Sequence, residues 1–199
     1  MVTENVVLMA QARESLKGKW GIAIATVLVY ILILSTIQFI PFVGQFAALL
    51  IEGPLELGMT LFALSIARRQ EGKLEQLFQG FNNFGTSVAA YLLMFLYIIL
   101  WMLLLIVPGI IAAFSYSMTY FIISDDPKIK ATEAIKKSKQ MMNGYKAKLF
   151  FLHLRFIGWF LLSILTLGIG FLWLIPYVNV SIAKFYEDIK NNPAVAEIQ

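Results

Sequence analysis

Cysteine is absent from this chain of 199 residues, and histidine occurs once, at position 153. The first absence removes disulfides, thiolate metal sites and a cysteine nucleophile, and it says nothing about compartment. The second leaves His153 without the further histidine or neighbouring carboxylate that a typical zinc site or catalytic triad needs. It reads as an interfacial residue hydrogen-bonded to a carbonyl. Charge is also scarce, 14% of residues against about 25% in soluble domains. No P-loop, dinucleotide fingerprint, HExxH or nucleophile elbow occurs. The expectation is a protein that is not an enzyme and needs no cofactor or metal.

What fills the chain instead is apolar. Hydrophobic residues make up 59% of it, and mean hydropathy is +0.76. That combination predicts an all-α fold, a polytopic membrane helical bundle. About 20 residues are needed per span, so six spans exhaust the length and leave a single domain. They are expected at 20–40, 45–67, 86–107, 110–124, 149–167 and 171–186, paired as three hairpins. The run that starts at Trp20 is too long for a signal-peptide core and lacks a small-residue cleavage pattern, so it reads as an uncleaved first span. Turns are expected at Pro41-Phe42-Val43-Gly44, Pro108-Gly109 and Gly168-Ile169-Gly170. Amphipathic segments at 3–17, 73–81 and 127–143 read as interfacial helices, the last opened by Asp125-Asp126-Pro127. Gly18, Gly80 and Gly144 recur about every 63 residues, each ahead of a hairpin, which suggests a weak internal repeat.

Basic residues set the expected orientation. Arg13, Lys17 and Lys19 precede the first span, and Arg68, Arg69 and Lys73 follow the second. Seven lysines lie between the fourth and fifth, and Lys184 and Lys190 mark the C-terminal end of the sixth; the three opposite turns have none. By the positive-inside rule both termini and both long connections are cytoplasmic.

Glu52-Gly53-Pro54-Leu55-Glu56 places two carboxylates and a helix breaker within the second span. A charge at mid-bilayer depth costs roughly 2.5–3.5 kcal/mol on insertion scales, so it faces protein, water or a partner. Four residues apart, the two acids share a helix face. Pro54 removes one backbone donor between them and is expected to kink the helix; Pro176 is expected to interrupt the sixth span. The pair can be read as a proton or cation site or as neutral acids in a kinked helix. Arg155, the basic residue placed inside a span, is the expected partner of Glu56. Lys128, Lys130, Lys136, Lys137 and Lys139 project from the connecting helix, where they read as contacts to anionic lipid headgroups or as topology determinants. They lack a base-reading platform, which argues against nucleic acid.

Three stretches carry a resemblance. Ala12-Arg13-Glu14-Ser15-Leu16-Lys17-Gly18-Lys19-Trp20-Gly21 is one. Gly58 through Ala67-Arg68 to Leu77-Phe78-Gln79-Gly80-Phe81 is the second. Phe156-Ile157-Gly158-Trp159 through Leu167-Gly168-Ile169-Gly170 to Pro176-Tyr177 and Phe185-Tyr186 completes the set. Together they resemble the bacterial integral membrane family called domain of unknown function 975. The resemblance implies a multi-pass protein of the bacterial cell membrane and transfers no catalytic residue. Two functions follow as expectations. One is a non-enzymatic scaffold or accessory protein whose basic amphipathic helices contact anionic lipid or a membrane protein partner. The other is a small transporter or channel-like protein using Glu52 and Glu56. The sequence favours the first, because polar residues in the spans are few.

Overall fold

A computed structural model describes residues 2–40 and 43–192; Pro41 and Phe42 of the first expected turn and the last seven residues of the tail lie outside it. The described residues are helical, with no strand among them. Five helical stretches are long and apolar enough to cross a membrane, Trp20–Gln38, Gly44–Ala67, Gln76–Leu104, Ile106–Asp125 and Lys146–Leu165. The sixth expected span falls in a helix of 21 residues, Phe171–Asn191, that is not among those five. Its second half carries Lys184, Glu187, Asp188 and Lys190, which lowers its hydropathy.

Helices α1 (Asn5–Leu16) and α2 (Trp20–Gln38) are separated by Gly18 in the left-handed region, φ 75°. The buried residues of α1 include Leu8, Ala12 and Leu16, one residue per turn on a single face. That face packs mainly along the last helix rather than lying on lipid. The central helix is α3 (Val43–Ala67), with 67% of its span buried against 17% for α2. It is followed by a short α4 (Gln76–Gln79) and a 3₁₀ turn, Gly80–Asn83, where the expected amphipathic segment at 73–81 is only partly helical.

The next hairpin, α5 (Phe84–Leu104) with α6 (Ile106–Tyr116), turns at Leu105 rather than at Pro108-Gly109. Leu105 is extended, φ −161°, ψ 143°, and Pro108 lies within the first turn of α6. There its missing N–H costs nothing, since first-turn amides have no intrahelical acceptor. Helix α7 (Thr119–Asp125) continues α6 after a break at Ser117 and Met118. Helix α8 (Ala131–Met141) starts four residues later than the expected 127. Asp126 accepts from the Lys128 amide at 3.2 Å and so shapes the approach to the helix rather than its first turn. The expected fifth span is two helices, α9 (Lys146–Leu154) and α10 (Ile157–Leu165), interrupted at Arg155 and Phe156. Helix α11 (Phe171–Asn191) runs unbroken through Pro176, which corrects the interruption expected there; α3 likewise continues through Pro54. Both prolines are buried, so packing holds the helix where one backbone bond is lost.

Two details show how the sequence closes the bundle. Gly53, Gly58 and Gly80 let backbones meet: a Cβ on Gly53 would lie 2.6 Å from the Ser87 carbonyl oxygen. One on Gly58 would overlap the Leu77 carbonyl, and one on Gly80 the Pro54 carbonyl. Gly80 is therefore required by close approach, with an ordinary helical φ of −59°, whereas Gly18 and Gly144 are required by positive φ. The three glycines of the apparent repeat do not share one role. The α6–α7 break is mended by Ser138 of α8, whose hydroxyl donates to the Ser115 carbonyl at 2.9 Å and accepts from the Met118 amide at 3.1 Å. Ala131, Ala134, Ile135 and Ser138 of α8 are buried in this way. The apolar stripe expected to lie on the membrane is packed on the protein's own helices α5, α6 and α7.

The start of α1 and the last turn of α11 meet at one end of the bundle. Asp188 accepts from the Thr3 hydroxyl at 2.5 Å and pairs with Lys148 at 2.8 Å. Close by in sequence, Arg68 pairs with both Asp125 and Glu187 at 2.7 Å, while Lys190 at 2.5 Å and the Tyr186 hydroxyl at 2.7 Å also reach Asp125. Polar termini of α1, α3, α7, α9 and α11 are tied together by this network.

Candidate functional site

Glu52 and Glu56 sit on one face of α3, and each is met by a tyrosine from a different neighbour. The Tyr30 hydroxyl of α2 donates to Glu56 Oε1 at 2.6 Å, and the Tyr91 hydroxyl of α5 donates to Glu52 Oε2. A carboxylate withdrawn from water needs donors, and phenols supply them without a second charge. No described lysine or arginine forms an ion pair with either acid.

The expected Glu56–Arg155 pair is not formed. Arg155 lies in the break between α9 and α10 and is exposed, so its guanidinium need not find a buried partner. His153, two residues earlier, lines with Glu56 a cavity of about 170 Å³ bordered by α3, the α6–α7 junction, α9 and α11, together with Thr60, Ser117, Tyr120 and Asn179. Glu52 is not part of that lining, so the structure divides the two acids expected to act together.

The hydrogen bonds of the lining residues decide what the cavity can hold. Thr60 donates its hydroxyl proton to the Glu56 carbonyl at 2.8 Å, and Ser117 donates to the Phe114 carbonyl at 2.8 Å. His153 Nδ1 is 2.9 Å from the Leu149 carbonyl, which requires the proton on Nδ1 and leaves Nε2 as an acceptor when the ring is neutral. With these protons committed to backbone, the oxygens of Thr60, Ser117 and Glu56 and the remaining imidazole nitrogen present lone pairs. Asn179 brings a side-chain amide with both donor and acceptor, and Tyr120 a phenol. Such a lining suits a proton or a small cation and offers little to an anion. Among the described residues no group of three His, Cys, Asp or Glu is placed to hold a metal ion.

The lysines expected at headgroups, Lys128, Lys130, Lys136, Lys137 and Lys139, are all exposed; Lys137 forms an i,i+4 pair with Glu133 at 3.4 Å. Sequence reasoning missed Tyr30, Tyr91, Tyr120 and the shared cavity of His153 and Glu56. A signal existed: an acid inside a span with no base at its depth leaves tyrosine as a strong uncharged donor.

Comparison with known families agrees with the motifs. The model of the family described as protein of unknown function (DUF975) matches residues 1–112 and 102–193. The chain belongs to the DUF975 family. No curated protein and no solved structure matches it. For this DUF975 protein the apolar helices establish a membrane protein, and chemistry has to be argued from the cavity itself.

Proposed function

We propose that this DUF975 protein is a non-enzymatic, multi-pass protein of the cell membrane that takes up and releases a proton or small cation at Glu56, as a small transporter. The observation that carries this reading is the lining of the Glu56 cavity. The sequence argued against transport because polar residues in the spans are few; the fold gathers six of them, Glu56, Thr60, Ser117, Tyr120, His153 and Asn179, around one space. At eleven residues from Ala67, Glu56 is about 16 Å from the end of α3, the depth at which a carboxylate is costly and usually functional. Breaks in the helices on either side, α6–α7 and α9–α10, resemble the interrupted spans that form ion sites in transporters. The polar network at one end supports a topology with both termini cytoplasmic and α11 as a sixth span.

The test is flux in proteoliposomes under a pH or cation gradient. Glu56→Gln should abolish flux while the protein still accumulates and reconstitutes normally, and Glu52→Gln should retain most of it. Equal flux in wild type and Glu56→Gln would end the proposal.

A second reading, a scaffold contacting anionic lipid, is supported by five exposed lysines, Lys128 and Lys130 just ahead of α8 and Lys136, Lys137 and Lys139 on it, the helix's other face being fixed to the bundle. In that case neutralising Lys136, Lys137 and Lys139 should lower binding to anionic vesicles, and Glu56→Gln should be silent.

A further inference from the structure

A second recess lies on the outside of the bundle, remote in sequence from α3. Helices α10 and α11 are drawn together where Gly170 seats on Ser163: a Cβ on Gly170 would lie 2.8 Å from the Ser163 hydroxyl oxygen. Between this hairpin and the junction of α1 with α2 is a groove of about 400 Å³, lined by Arg13, Trp20, Trp159, Leu162, Trp173 and Tyr177 among others. Three of the chain's four tryptophans are there. Trp159, Leu162 and Trp173 are each about half exposed, at 56%, 53% and 49%, so the groove opens on the surface that apolar helices turn to lipid.

Among the described residues its one charged lining residue is Arg13. The ion pairs of the described residues involve Arg68, Lys137, Lys148 and Lys190, and none involves Arg13, which is exposed. Lys17, four residues further on and also exposed, adds a second positive charge nearby. Among the described residues no acid lines the groove to balance them. A guanidinium left unpaired at an apolar, tryptophan-walled recess is complementary to one kind of molecule, an acyl chain attached to a phosphate. Tryptophan and tyrosine favour the depth at which headgroup meets hydrocarbon, and about 300–1,000 Å³ is the usual size of a small-molecule site.

We propose that this groove is a binding site for an anionic phospholipid, with an acyl chain along Trp20, Trp159 and Trp173 and the phosphate on Arg13. The inference is independent of the Glu56 site and stands whether or not that site transports. It also differs from headgroup attraction by the α8 lysines, because it needs a single bound lipid rather than a surface potential.

The tryptophans supply the readout. In a Trp101→Phe background, fluorescence is measured in phosphatidylcholine vesicles as phosphatidylglycerol with brominated chains replaces part of the lipid. In parallel, brominated phosphatidylcholine is used at the same fractions. The anionic lipid should reach half-maximal quenching at a mole fraction about fivefold lower than the zwitterionic one, the preference expected of about one cation near a headgroup. Arg13→Gln should remove that preference and Arg13→Lys should keep most of it, with unchanged helical circular dichroism in both. Equal quenching by the two lipids in the wild type overturns the proposal, as does an undiminished preference in Arg13→Gln. Resistance to quenching by either lipid also overturns it, since the groove would then be filled by protein.

Discussion

Individual side chains in this protein are placed to settle hydrogen bonds that the apolar surroundings will not forgive. Tyr30 satisfies Glu56 Oε1 at 2.6 Å. Tyr30→Phe should therefore destabilise the fold by about 1–2 kcal/mol, the range of hydrogen bonds between membrane helices, measured by unfolding in mixed detergent. Ser138 performs a double service at the α6–α7 break, one hydroxyl for an orphan carbonyl and an orphan amide. Ser138→Ala leaves both unpaired and should cost about 1–3 kcal/mol by the same assay, whereas Ser124→Ala, which removes only a local bond to Tyr120, should cost less. The acids at 52 and 56 were legible in the sequence because charge in a span is conspicuous. Their partners were not, because tyrosine is common in apolar segments and distance along the chain, 26 residues for Tyr30 and 39 for Tyr91, hides the contact. Arg155 attracted attention for the same conspicuousness, and the structure leaves it at the surface.

At the scale of elements, hydropathy located the helices well, and its errors are instructive. Spans expected at 20–40 and 45–67 correspond to α2 and α3, starting at Trp20 and ending at Ala67 as expected. Three prolines sit differently from expectation. Pro108, expected at a turn, is a first-turn helix residue; Pro176, expected to interrupt the sixth span, lies inside an unbroken α11; and Pro127, expected to open a helix, precedes α8 by four residues. Proline forbids one hydrogen bond and leaves the rest of the decision to packing. Where α3 meets α4 and α5, packing depends on glycine. Gly58→Ala should force the Leu77 carbonyl aside and destabilise by about 1–3 kcal/mol. Gly21→Ala, with nothing within 4 Å, should be neutral or stabilising by up to about 1 kcal/mol. Melting temperatures of the two variants in detergent make the comparison. The segment expected at 127–143 holds α8, with Ala131, Ala134, Ile135 and Ser138 buried. Its apolar stripe was given to lipid because a sequence does not say whether lipid or protein covers a helix face.

For the whole molecule, the ends of five helices are fastened by charge around Asp125 and Asp188. Burial alone would raise the Asp188 carboxyl, but its hydrogen bonds from Lys148 and Thr3 outweigh that and hold it below the ordinary aspartate range. A depressed acid contributes stability that is complete above its unfolded value, about 3.9, and is lost as pH falls through its folded value. Acid unfolding monitored by circular dichroism should show this loss, and Asp188→Asn, less stable at neutral pH, should lose less on acidification. The same network brings Thr3 and Asp188 into contact, so reporters fused to the two termini should register the same side of the membrane. Opposite sides would mean five spans and a C-terminal helix that does not cross.

Glu56 is the residue on which the functional reading rests, and its protonation or cation binding can be observed directly. Infrared difference spectra of the reconstituted protein, recorded as pH is stepped or as a monovalent cation is added, report the carboxyl group itself. A carboxyl band that responds in the wild type and in Glu52→Gln but vanishes in Glu56→Gln is the result this account predicts. A spectrum without a responding carboxyl, or one unchanged by Glu56→Gln, would contradict it.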